Sequence, residues 1–299
     1  MQDEKYADLF ESRRPFLNGL AYRILGSLAD AEDAVQDTFI KWLHVDRRPI
    51  LNPAAWLTTV CTRRCLDLLR GAQQARTDYI GVWLPEPLQT MAVETSEQQM
   101  LDLSSSLSMA FMLLLERLTP RERAAYLLHD IFDLPYADLA ITLDAEEATC
   151  RKLVSRAREK VGHPQVCSVI PEERQEALLA SFKAAVETGN IKPLSALLSE
   201  DIALRADGGG KVSANLTPII GKIDVLEFIG GKLSAFWRTY EWRPARINGL
   251  QGVLLFDQNH IAAAVSFALD IDGHLAQIFI VRNPDKLSRL GRLWEIPLR

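Results

Sequence analysis

LGSLADAEDAVQDTFIKWL, residues 25–43, shows what kind of domain opens the chain. Its apolar residues Leu28, Ala31, Val35, Phe39 and Trp42 recur in steps of three and four, which lays one stripe along an α-helix. Asp30, Asp33 and Asp37 fall on the opposite face, so the helix buries one side and offers a row of carboxylates on the other. The helical period extends outward over residues 5–76. Asn52-Pro53 opens the next helix, with proline where a missing N–H costs nothing, and AAWLTTVCTRRCLDLLR carries it to about Arg70.

Residues 77–97, TDYIGVWLPEPLQTMAVETSE, break this pattern. Pro85 and Pro87 forbid helix through the middle and push the residues before them to extended backbone. Trp83 and Leu84 give this linker something to anchor. Helices resume at about Gln98 and run to about Lys160. Thr119, Pro120 and Glu122 form a capping-box pattern, with Glu122 three residues after the cap. LPYADLAITLDAEEATCRKLVSRAREKV then reads as helix, short turn at Leu143-Asp144, helix, the spacing of a helix-turn-helix. On its second helix Leu153, Val154, Ala157 and Val161 share an inward face. Arg151, Lys152, Ser155 and Arg156 point away from it, and a basic, donor-rich face of this kind fits the major groove of DNA.

Composition shifts at GHPQVCSVIPEE, where Gly162, Pro164 and Pro171 mark a second boundary. Helices are expected at about 172–188, 192–199 and 222–233. Strand-like runs follow: GVLLF, HIAAAVSFALDI and HLAQIFIVR, with Asp272-Gly273 as a hairpin turn between the last two. Helices followed by antiparallel strands predict an α+β domain.

The 299 residues make two or three domains the prior, and 48% hydrophobic residues exclude a disordered chain. The N-terminus is acidic and polar, unlike a signal peptide. The longest apolar stretch, IAAAVSFAL from Ile261, falls short of the roughly 20 residues a spanning helix needs. A cytoplasmic protein with no membrane partner is expected. The net charge of −5 argues mildly against a free-standing DNA binder, since phosphate neutralisation supplies most nonspecific affinity. Cys61 with Cys65 and His163 with Cys167 stand one helical turn apart and match no zinc pattern, so neither metal nor cofactor is expected.

DGGGK, Asp207 to Lys211, resembles a phosphate cradle at first sight. A Walker loop needs its lysine followed by Ser or Thr and a helix start, and here Val212 follows. A turn is the better reading: Gly208, Gly209 and Gly210 allow positive φ and close approach, with Asp207 and Lys211 as flanking charged contacts.

LGSLADAEDAVQDTFIKWL, AWLTTVCTRRCLDLLR and a helix-turn-helix ending TCRKLVSRAREKV, in this order, resemble the extracytoplasmic-function sigma factors of bacterial RNA polymerase. The resemblance implies that Asp30, Asp33, Gln36 and Asp37 bind core RNA polymerase. It implies that the segment after them reads the −10 element of promoter DNA, through Arg47, Arg48, Asn52, Arg63 and Arg64, with Trp56 as a stacking or wedging residue that is equally a core residue by its spacing. Arg151, Lys152, Ser155 and Arg156 would read the −35 element. Polymerase then delivers the chain to DNA, which makes the net negative charge less troubling.

WLPEP (Trp83, Leu84, Pro85, Glu86 and Pro87), DGGGK and NPDKL (Asn283, Pro284, Asp285, Lys286 and Leu287) are similar to signatures of a sigma subgroup with a SnoaL-like C-terminal extension. The implied fold is multidomain: sigma domain two at 1–76, linker 77–97, sigma domain four at 98–163 and a cone-shaped α+β SnoaL-like domain at 171–299 that regulates in cis, with no separate anti-sigma factor required. The three motifs are expected to meet. A tail from about 283 is expected to restrain activity and to be removable with the SnoaL-like core still folded, and loss of everything after 163 to lower activity or change promoter spacing. A small molecule in the SnoaL-like pocket is a further expected partner. Some SnoaL-like domains are enzymes with an Asp/His pair, for which His260, His274, Asp257 and Asp270 qualify by type only. An enzyme with a helical regulatory half and a ligand-sensing one-component regulator are the rival classes. The acidic helix has no purpose in a repressor, and polymerase dependence separates the three.

Overall fold

A computed structural model of the chain describes residues 2–90, 106–162 and 172–291. The expected restart of helix near Gln98, the boundary prolines Pro164 and Pro171, and the pair His163 and Cys167 lie outside the described residues. Contacts divide the chain into two units. Of the described residues, the first takes 2–78 and 114–162, the second 79–90, 106–113 and 172–291.

In the first unit, helices α1 (Gln2–Leu25), α2 (Leu28–His44) and α3 (Pro53–Thr77) pack on one another. The stripe on α2 drives this, with Leu28, Ala31, Val35 and Trp42 buried and Phe39 partly so. The Ser27 hydroxyl caps α2 by accepting from the Asp30 N–H. Helix α4 (Met109–Leu115) comes next in the chain. Helix α5 (Pro120–Tyr126) begins with the capping box: the Thr119 hydroxyl accepts from the Glu122 N–H, and the Glu122 carboxylate accepts from the Thr119 N–H at 2.9 Å. It continues through a π turn, Leu127–Ile131. Helices α6 (Tyr136–Leu143) and α7 (Glu147–Val161) complete a helix-turn-helix, and Asp144 takes a left-handed conformation (φ 49°) to end α6.

The second unit holds helices α8 (Glu172–Thr188) and α9 (Lys192–Ser195) and a six-stranded sheet in the order β2-β1-β6-β5-β4-β3. Its strands are β1 (Leu198–Asp207), β2 (Ile219–Ile220), β3 (Glu241–Ile247), β4 (Leu250–Asp257), β5 (His260–Leu269) and β6 (Leu275–Val281). Helix α10 (Lys222–Phe228), a π turn and α11 (Ser234–Trp237) link β2 to β3, and α12 (Pro284–Leu287) follows β6. The expected helix over 192–199 is a single turn, because β1 already starts at Leu198. β1 pairs parallel to β6, so the sheet is mixed where purely antiparallel strands were expected.

Both faces of this sheet are covered. Val253, Leu255, Val265, Phe267, Ile278 and Ile280 pack with Phe182 of α8 and Trp237. Their neighbours Leu254, Ala264, Ala268, Phe279 and Val281 point the other way, onto Leu84 of the linker, Met109, Leu287 and Leu290. Strands buried on both faces read as continuous apolar runs, which is why GVLLF, IAAAVSFAL and IFIV show no alternation. No described helix is long and apolar enough to cross a membrane.

Candidate functional sites

The second unit brings WLPEP, DGGGK and NPDKL together around one carboxylate. Asp207 ends β1 with no exposed surface. Its Oδ2 accepts from the Leu84 N–H at 2.9 Å and from Lys286 Nζ at 2.7 Å. Its Oδ1 accepts from the Tyr79 hydroxyl at 2.6 Å and the Gly209 N–H at 3.0 Å. The Asp207 carbonyl accepts from the N–H groups of Arg282 and Asn283. The Lys286 ammonium also donates to the Leu84 carbonyl and sits 4.5 Å from the Trp83 ring centroid, a cation–π contact. Burial, then the Asp207 carboxylate, push the Tyr79 phenol above its ordinary pKa. The glycines serve close approach: a Cβ on Gly209 (φ 63°) would lie 2.3 Å from Asn283 Nδ2. Lys211 pairs with Asp285 at 2.6 Å on the surface. Pro85, Glu86 and Pro87 are buried, and Arg289 lies 3.8 Å from Glu86.

A second anchor holds the other end of the linker. The buried Asn248, between β3 and β4, accepts from the Leu88 N–H at 3.1 Å and donates to the Leu107 carbonyl at 3.0 Å. Gln89 bridges to Ile247 of β3, so linker backbone covers part of this edge strand.

On α2, Asp33 and Gln36 are exposed and Asp30 is half-buried in the first turn, where the helix dipole favours a carboxylate. Asp37 is already engaged: its Oδ2 accepts from Arg64 Nε at 2.7 Å. One residue of the acidic face thus neutralises one of the arginines assigned to DNA. Arg47, in the loop after α2, folds back onto that helix, donating to the Trp42 and Leu43 carbonyls. Arg48 pairs with Asp46 in full exposure, Asn52 caps α3 through the Ala55 N–H, and Trp56 lies half-buried with its ring 5.4 Å from that of Trp42. Arg151, Lys152, Ser155 and Arg156 all lie exposed on α7, away from the buried Cys150, Val154, Ala157 and Val161. Arg151 pairs with Glu147 and stacks on Tyr136.

Asp257 and His260 flank the turn at one end of β5, and Asp270 and His274 the turn at the other. Ten residues of strand, about 30 Å, separate the two turns, so the four do not converge. The Asp270 carboxylate accepts from the N–H groups of Asp272 and His274, the bonding of a tight turn.

The family described as Sigma-70 region 2 matches residues 9–75, and Sigma-70 region 4 matches residues 108–161. The chain is 34% identical to the ECF RNA polymerase sigma factor SigJ of Mycobacterium tuberculosis, over 93% of this chain and 92% of that one. The chain belongs to the extracytoplasmic-function sigma factors. It is 26% identical to the probable ECF sigma factor SigI of the same species, over 97% of each. The crystal structure of SigJ matches with a TM-score of 0.71 at 32% identity, covering 94% of this chain and 98% of that one. The sigma factor thus has two helical sigma regions and a C-terminal α+β domain of the SnoaL-like kind, and it directs RNA polymerase to promoters for transcription initiation.

Sequence reasoning missed a set of residues that join regions 2 and 4 of this sigma factor inside the first unit. Arg63 of α3 donates to the Thr142 carbonyl at 3.0 Å and the Ile141 carbonyl at 2.7 Å, at the C-terminus of α6. The hydroxyls of Thr59 and Thr142 lie 3.0 Å apart. In return, Arg123 of α5, 1% exposed, donates to the Ile24 carbonyl at the C-terminus of α1, and to Leu115. Each region places an arginine on the negative end of the other's helix dipole. Arg23 of α1 is buried under the Phe132 ring, and desolvation lowers its pKa to about 10. The capping box located α5 but carried no signal that Arg123 faces inward.

Proposed function

We propose that this sigma factor is restrained by its own chain in two places. The observation that carries the reading is Arg63, which the resemblance assigns to the −10 strand and which here caps the first helix of the helix-turn-helix. The −10 and −35 elements lie about 25 base pairs apart, or about 85 Å at about 3.4 Å each. Two readers joined by hydrogen bonds cannot occupy both, so the latch between regions 2 and 4 opens when polymerase and promoter are engaged. Asp30, Asp33 and Gln36 dock core polymerase. Arg48, Arg63, Arg64 and Trp56 meet the −10 strand once released, and Arg151, Lys152, Ser155 and Arg156 read the −35 element.

The second restraint is the linker. Residues 79–90 are tied to Asp207 and Asn248 of the C-terminal unit. Twelve extended residues span about 40 Å, and that length is withheld from the reach between the two readers while the junction holds. Intramolecular tethering makes such control effective without a separate anti-sigma factor.

The test is a reversible lock. The Thr59→Cys/Thr142→Cys pair replaces hydroxyls 3.0 Å apart, near enough for a disulfide of about 2.05 Å after small adjustment. The oxidised protein should fail in run-off transcription with core polymerase and recover on reduction. Equal transcription from oxidised and reduced protein would show that the latch need not open.

A further inference from the structure

Beside the latch lies a cavity of about 320 Å³. Arg63, Asp67 and Arg70 face it from α3, and Arg121 and Asp144 from region 4, with Leu66 and Leu143 as apolar walls. Two of its three guanidiniums are held on backbone carbonyls, and the third makes an exposed ion pair. Arg63 is fixed on the carbonyls of Ile141 and Thr142, Arg121 donates to the Leu143 carbonyl at 2.8 Å, and Arg70 pairs with Asp67 at 3.2 Å. A guanidinium carries five N–H donors, so these bonds leave donors on all three for a ligand.

We propose that this cavity binds a small phosphorylated molecule of nucleotide size. Planar guanidiniums suit phosphate oxygens, which they grip in pairs. The volume stands at the small end of the range for ligand pockets. The two carboxylates, Asp67 and Asp144, oppose a bare anion but accept from hydroxyl or amino groups of a larger ligand. Because the walls come from both regions, the occupied site exists only while the latch is shut. A ligand that binds one state stabilises that state, so occupancy holds the sigma factor closed. This consequence rests on the closed-state reading, whereas the binding itself does not.

Isothermal titration of the full chain with ADP, without polymerase, tests the site. Saturable one-to-one binding is expected, weakened at least about tenfold in both Arg70→Ala and Arg121→Ala. It should be unchanged in Arg156→Ala, whose guanidinium is exposed on α7 outside the cavity. Arg70 makes only a surface pair, so its variant keeps the test meaningful even where Arg121→Ala disturbs folding. No saturable binding, equal binding by all three variants, or full displacement by sulfate at matched ionic strength would each overturn the proposal. The oxidised Thr59→Cys/Thr142→Cys protein should bind ADP at least as tightly as the reduced form. Weaker binding by the locked form would overturn the link to closure. If locking leaves transcription unchanged while ADP still binds in an Arg70-dependent way, the cavity stands and the latch reading falls.

Discussion

Asp207 shows how one side chain can hold three distant segments. Its carboxylate takes four hydrogen bonds with no exposed surface, and Lys286, its cationic partner, is 13% exposed. Removing one partner of such a pair leaves a buried charge, which costs about 3–5 kcal/mol, whereas replacing both is far milder. Lys286→Met should therefore lower the stability of the C-terminal unit by about that much in urea unfolding, with Asp207→Asn/Lys286→Met recovering part of it. A loss below about 1 kcal/mol would mean that the neutral donors alone support the carboxylate. The lysine and the aspartate are both visible in the sequence as charges beside turns. Tyr79, which closes the same cluster, is an unremarked residue of the linker until the fold places its hydroxyl against Asp207.

The acidic helix behaves as an element with two kinds of carboxylate. Asp33 is exposed, whereas Asp37 fastens α2 to Arg64 of α3. Asp33→Arg should abolish co-purification with core polymerase while leaving folding stability within about 0.5 kcal/mol, the usual range for an exposed substitution. Asp37→Arg should lose both binding and stability, since it sets two guanidiniums against each other. Normal polymerase binding by Asp33→Arg would remove the docking assignment. The helices of this half were legible because their burial is one-sided, so the three- and four-residue steps survive in the sequence. The sheet was half legible. β4, β5 and β6 stand out as apolar runs, but β1 carries Ser199, Glu200 and Asp201 directly after its first residue, and β3 carries Pro244, which an edge strand tolerates. Asn248-Gly249, a strong hairpin signal, stood between β3 and β4 and would have located both. The latch was not legible at all, because Arg63 and Arg123 bind backbone carbonyls, and any residue supplies those.

For the whole molecule, residues 284–290 after β6 prove to be part of the C-terminal unit. Leu287 and Leu290 pack on the sheet and Lys286 closes the junction, so a cut at 283 should open the C-terminal unit along with the linker, where the sequence led one to expect a folded core. Lys286→Met is the gentler release. It should raise run-off transcription above wild type as the linker regains reach, and a chain ending at 163 should instead expose Leu84 and Leu88 and change the preferred spacing between promoter elements. Unchanged activity and spacing in both would leave the C-terminal unit without a regulatory part. The junction also imposes a schedule on synthesis. Leu84 and the lysine that holds it are 202 residues apart. At about 5–20 residues per second, the ribosome needs roughly 10–40 s to travel that distance. Region 4 ends at residue 161, so for the last 125 of those residues, roughly 6–25 s, each newly made chain carries both promoter-reading regions with an untied linker, and the proposed linker restraint is the last to arrive.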